Sequence, residues 1–132
     1  MDRLFLDANV LFSAAYRTGA GLLRLGKLQN TVLCSSRYAL EEARINLEHE
    51  DQRTRLTRLA ARLQLFEATE ERLSRRISLP EKDLPIILAA IEARATHLLT
   101  GDIRHFGAYL GKNIAGIIAM RPGEYLRIRR AI

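Results

Sequence analysis

The sequence predicts an α/β fold: a three-layer α/β/α sandwich with a central parallel sheet of four to five strands. Three observations lead there. Short β-rich apolar runs at residues 4–11, 31–34, 96–100 and 114–119 are separated by stretches in which apolar residues recur at helical spacing. That alternation implies parallel pairing through right-handed crossovers, with helices on both sheet faces. A chain of 132 residues with 48% apolar content can furnish one contiguous core, and no internal repeat or long heptad run is present, so one domain over residues 1–132 is expected.

The elements follow in order. The opening LFLDANVL is core-like except at Asp7 and Asn9. A buried parallel strand should be continuously apolar, so this polar pair marks the strand's C-terminal end. Residues 10–16 and 22–27 read as helical pieces around a turn at Thr18-Gly19-Ala20-Gly21. TVLC at 31–34 is a second strand, and Ser35-Ser36 is placed to cap a helix starting near Arg37. From there to Leu79 most of the chain reads as helix, broken near residues 48–53, with an apolar stripe at Leu56, Leu59, Leu63 and Phe66, then Leu73 and Ile77. After Pro80, Asp83-Leu84-Pro85 restarts helix, with aspartate as N-cap and proline in the first turn. Residues 96–100 form a further strand ending at a Gly101-Asp102 turn. Residues 114–119 read as one last strand before Pro122 and a basic tail carrying Arg127, Arg129 and Arg130.

The balance of charge narrows the partners. With 21 basic against 15 acidic residues, the formal charge of +6 favours polyanions, and nucleic acid leads a membrane surface. One cysteine, Cys34, excludes an intrachain disulfide framework and suits a reduced compartment. No apolar run approaches the roughly 20 residues that span a bilayer, and the N-terminus lacks a secretory pattern. A soluble, cytoplasmic protein is expected.

Four acids fall where parallel sheets place ligands, beyond the C-terminal strand ends: Asp7, Asp102 after LLT, Asp83 at a helix start and Glu42 early in another helix. Each also has a plain structural reading. Asp7 and Asp102 suit turns, Asp83 suits an N-cap, and Glu42 beside Glu41 suits a solvated helix face. Asp7 stands apart because burying its charge in a core-like run calls for compensation. Converging carboxylates about 4 Å apart repel by roughly 4 kcal/mol per pair at an effective dielectric near 20, which a cation relieves. Oxygen ligands suit magnesium or manganese. The dispersed His49, His97 and His105 and the lone Cys34 form no zinc set, and Gly19-Ala20-Gly21 lacks the Lys-Ser/Thr of a phosphate loop. Arg53, Arg55, Arg58 and Arg62 make either a phosphate-facing edge or a solvated face among Glu48, Glu50, Asp51 and Glu67.

LFLDANVLFSA, SSRYALEEARINL and KDLPIILAAIEARATHLLTGD followed by IRHF resemble the successive motifs of PIN domains, and the resemblance spans nearly the whole chain. Carried over by position, it implies that Asp7, Glu42, Asp83 and Asp102 are the catalytic acids holding Mg2+ or Mn2+. It further implies that Asn9 orients Asp7 and that Thr100 adds a hydroxyl. Glu41 is the alternative to Glu42; exchanging them rotates the helix by about 100°. Arg104 and His105, just beyond Asp102, are placed for substrate. The implied activity is metal-dependent hydrolysis of RNA phosphodiester bonds. Small free-standing members of the family are often toxins of toxin-antitoxin modules, so a homodimer and a cognate antitoxin are the implied partners. Two other readings remain in view: an RNA-binding or interaction domain that keeps the fold without catalysis, and an RNA-processing nuclease outside any toxin system. A phospho-accepting receiver fits poorly, because Lys112 precedes the last strand instead of following a late one.

Overall fold

The computed structural model describes residues 1–17, 22–67, 84–101 and 113–130. The described elements run β1 (Asp2–Leu6), α1 (Ala8–Tyr16), α2 (Leu22–Gly26), β2 (Thr31–Ser35), α3 (Arg37–Asn46), α4 (Glu50–Ala60), β3 (Gln64–Leu65), α5 (Leu84–Glu92), β4 (His97–Leu99), β5 (Asn113–Ile114), β6 (Ile117–Met120) and α6 (Pro122–Arg130). They form a three-layer α/β/α sandwich around a sheet of order β3-β2-β1-β4-β6-β5. The five strands from β3 to β6 pair in parallel, which agrees with the four to five expected.

The order contains one reversal. From β1 the chain moves outward through β2 to β3, then returns to lay β4 on the opposite side of β1. The C-terminal ends of β1 and β4 therefore flank the topological switch point, where two crossovers depart in opposite directions and leave a crevice.

The core is assembled from strand centres and one almost wholly apolar helix. Leu4, Phe5 and Leu6 of β1 and Leu98 and Leu99 of β4 are fully buried, as expected for strands covered on both faces. In α5, Ile86 to Ala90 are buried in succession, so this helix is enclosed around most of its circumference. Helix α3 buries a narrow stripe of Ala39 and Ala43, whose small side chains allow close packing on α1. No helix among the described residues is long and apolar enough to cross a membrane.

Three expectations need correction. Helix α4 stops at Ala60, and the residues after it turn and lay β3 parallel to β2, with the Phe66 N–H donating to Ser35 O at 2.9 Å. Leu63 and Phe66 sit at helical spacing from Leu59, but Leu63 is buried and Phe66 packs on the core from a sheet edge, not from a helix face. Apolar spacing records what is buried, and a strand edge satisfies it too. The single strand read at residues 114–119 is instead a hairpin, β5 antiparallel to β6, turning at Ala115 and Gly116 with φ of 52° and 87°. Two consecutive positive φ values are the backbone of a tight two-residue hairpin, but alanine in place of the usual asparagine or aspartate hid the signal. The basic tail is helix α6, in which Tyr125 is 2% exposed and anchors the segment to the core.

The turn at residues 18–21, Leu73, Ile77, the Asp83 cap and the Gly101-Asp102 turn lie wholly or partly outside the described residues. The break before α4 falls at residues 47–49, and residues 50–53, expected within it, form the first turn of α4.

Candidate functional site

Asp7 follows the last residue of β1 and is the N-cap of α1, with extended backbone at φ −69° and ψ 162°. Its N–H donates to Leu99 O at 3.0 Å, so the end of β1 is locked to the end of β4 across the switch point. The residue is only 5% exposed. Capping occupies Oδ1, which accepts from Ala8 N at 2.7 Å. Oδ2 is held separately: the Thr100 hydroxyl donates to it at 2.7 Å and the Asn9 carboxamide at 3.3 Å.

These supports are fixed in turn. Thr100 is fully buried, and its N–H donates to Met120 O at 3.0 Å, which ties it to β6. Asn9 Oδ1 accepts the Gly101 N–H at 2.8 Å, and a Cβ at Gly101 would stand 3.4 Å from that oxygen, at the edge of tight contact. Asp7 is thus gripped by Thr100, directly after β4, and from α1 by Asn9, itself anchored on Gly101. A helix cap alone needs none of this second set of contacts.

On the other side of β1, the Phe5–Cys34 pairing continues to Leu6 and Ser35, where the buried Ser35 hydroxyl donates to Leu6 O at 2.9 Å. Ser36 caps α3 by accepting from Ala39 N at 3.1 Å. Both α1 and α3 therefore begin at the same end of the sheet. The sequence signals a Ser36 cap, but nothing in it distinguishes Ser35 as the tie to β1.

Glu41 and Glu42 occupy different sides of α3. At about 100° per residue, Glu41 falls opposite the buried stripe of Ala39 and Ala43, whereas Glu42 borders it. Glu41 is exposed and paired with Arg44, whose Nε donates to Oε2 at 2.9 Å; that hydrogen bond holds the Glu41 carboxyl below the usual carboxylate range. Glu42 is half-buried on the flank of the face that packs against α1.

Asp7, Asn9 and Thr100 are brought together by direct hydrogen bonds, with Glu42 on the adjoining helix. Asp83, Asp102, Arg104 and His105 lie outside the described residues. Among the described residues, no three His, Cys, Asp or Glu side chains converge as a metal-holding group. Cys34 is fully buried in β2, and burial pushes its thiol above the ordinary range, which removes it as a nucleophile.

The arginines of α4 divide. Arg53 Nε donates to Leu47 O at 3.0 Å at the C-terminus of α3, while Arg55 Nε donates to Ala15 O at 2.8 Å at the end of α1. Both cations meet the partly negative ends of helices, a structural use for two of the four arginines. Comparison of the chain with protein-family models, with curated proteins and with solved structures returned no match.

Proposed function

We propose that the protein is a metal-dependent endoribonuclease, with Asp7, Glu42, Asp83 and Asp102 as the acidic set that holds Mg2+ or Mn2+. One observation carries the reading. Asp7 is a buried carboxylate at the switch point, with a hydroxyl and a carboxamide fixing the oxygen that helix capping does not use. Orientation of this kind is what a metal-ligating carboxylate requires from its surroundings. The donor atoms at the described part of the site are oxygens from a carboxylate and a hydroxyl, chemistry that fits a hard divalent cation. The likeness of the sequence to PIN domains supplies the remaining members of the set.

When bound, the cation lowers the pKa of a water and offsets charge on the phosphate under attack. The chain's own residues do the positioning. Thr100 and Asn9 hold the Asp7 carboxylate in one orientation through Oδ2, and the link from Asn9 to Gly101 keeps the segment after β4 in register with the start of α1. Hydrolysis in this manner needs no covalent enzyme intermediate, which agrees with the buried Cys34. The same likeness supports a role as the toxin of a toxin-antitoxin pair in the cytoplasm, acting as a homodimer neutralised by an antitoxin.

The test is cleavage of a labelled single-stranded RNA with Mg2+ or Mn2+ by wild type and by Asp7→Asn. We expect fragments from wild type and none from the variant, with the fold retained. Equal metal-dependent cleavage by both removes the assignment, and RNA retention without cleavage by wild type replaces it with a binding domain. Induced expression of both forms separates a toxin from a processing nuclease: growth arrest by wild type alone marks the toxin.

A further inference from the structure

A cleft of about 510 Å3 adjoins the candidate site, with Asn9 and Gly101 among its lining residues. Its floor is apolar, from Val10 and Ala14 of α1, Leu25 of α2 and Leu126 of α6. Arg24 and Leu126 border this cleft and also a second one of about 410 Å3, whose other members are Lys27, Leu28 and Arg129. The two share a wall, so a continuous path leads from the residues that orient Asp7 to a rim of three cations.

Those cations differ in what already holds them. Arg129 donates to Gln29 O at 2.7 Å and lies 3.7 Å from Asp2. Arg24 and Lys27 are exposed on the last turn of α2 and its C-terminal flank, and among the described residues neither side chain has a hydrogen-bond or ion-pair partner. They stand in contrast to Arg53 and Arg55, which are committed to helix ends.

We infer that the path from Asn9 and Gly101 past Arg24 to Lys27 is the channel for a single-stranded RNA, with Arg24 and Lys27 meeting its phosphates; this rests on the nuclease reading. The floor decides between single strand and duplex. Unpaired bases present apolar faces that can lie against Val10, Ala14, Leu25 and Leu126, whereas a duplex hides them and offers only its backbone. Arg24 is the junction residue, because it lines both clefts, and a guanidinium suits bidentate contact with phosphate. Arg24 and Lys27 bind and align substrate and take no part in bond cleavage.

The test measures fluorescence anisotropy of a labelled single-stranded RNA over a salt series, in the Asp7→Asn background so that no strand is cut. Each phosphate contact removed should lower the slope of log affinity against log salt by about 0.7. We expect Arg24→Gln and Lys27→Gln each to weaken binding several-fold at low salt with that loss of slope. Arg24→Lys should keep most of the slope, and Arg58→Gln on α4 should match the parent. Unchanged slopes for both channel variants, an equal loss for Arg58→Gln, or tighter binding of duplex than of single strand would overturn the channel. Cleavage by the wild-type protein is scored separately: intact cleavage with unchanged slopes removes the channel alone, whereas absent cleavage removes the nuclease reading.

Discussion

Strand β1 carries an aspartate at each end, and the two are used in opposite ways. Asp2, at the N-terminal end, accepts the Tyr125 hydroxyl at 2.6 Å and lies 3.7 Å from Arg129, so a phenol and a cation from α6 answer its charge. Around it the His97 ring meets Tyr125 edge-on at 5.1 Å, and Thr96 Oγ1 lies 2.8 Å from His97 Nδ1. Asp7, at the C-terminal end, is more deeply buried and is oriented by neutral donors from Thr100, Asn9 and Ala8. A carboxylate set against a cation across two elements fastens those elements together. On the proposed reading, the Asp7 carboxylate at the switch point would instead act on a ligand that arrives there.

Exchanging charge for a neutral isostere at each end gives the largest contrast. Asp7→Asn should lower RNA cleavage by more than about 100-fold, beyond the usual effect of losing a supporting group, with little change in melting. Asp2→Asn should cost about 1–2 kcal/mol of stability by weakening the hydrogen bond and ion pair to α6, and leave cleavage as it was. Urea unfolding and a gel assay on the same preparations read both effects, and a loss of activity at Asp2 matching that at Asp7 would erase the distinction.

How far this contrast could be read from the sequence differs between the two ends. The polar interruption of LFLDANVL points to Asp7, and the restart of apolar residues after Asn9 matches a strand passing straight into a helix. Asp2 gives no such signal. It lies beside an exposed N-terminus, and its partner Tyr125 is more than a hundred residues away in a segment that reads as a tail. The α/β alternation predicts the layers and parallel pairing, because it depends only on local periodicity. The two-residue strand β3 and the β5–β6 hairpin escape it, since their identity comes from the neighbouring edge and from two positive φ values. Glu41 and Glu42 are adjacent in sequence and equal in chemistry. Only the position of Ala39 and Ala43 on the packed face separates them.

Smaller changes sharpen the comparison. Thr100→Val removes the hydroxyl on Asp7 Oδ2 at nearly constant shape, and should reduce cleavage about 10- to 100-fold while the protein stays folded. Full activity in that variant would mean that the orientation of Oδ2 is irrelevant to catalysis. At the other end, Tyr125→Phe should cost roughly 1.5 kcal/mol, the scale of a hydrogen bond to a charged acceptor, with cleavage untouched. An active-site effect of Tyr125→Phe would show that the two ends are coupled.

The pH dependence should be the mildest signature and should belong to the Asp2 end. Burial, then the hydrogen bond and charge of Asp2, push the Tyr125 hydroxyl up to about 12. Its neutral form is favoured by folding, so that contribution is complete below about pH 10 and disappears as pH rises through about 12. Tyr125→Phe should flatten the alkaline limb of a stability profile. Burial lowers the His97 pKa below 6.5 against an opposing pull from Asp2. The folded protein prefers the neutral ring, so this part of the stability is present above about pH 6.5 and declines as pH falls through the lowered value. His97→Gln should remove that decline, and an unchanged acid limb would show that other groups govern it.

Mn2+ binding followed by calorimetry on wild type, Asp7→Asn and Asp2→Asn tests most directly that one end of β1 is built for chemistry and the other for cohesion. Wild type and Asp2→Asn should bind Mn2+ with the same affinity, and Asp7→Asn at least about tenfold more weakly. Equal affinities in all three proteins would contradict that division.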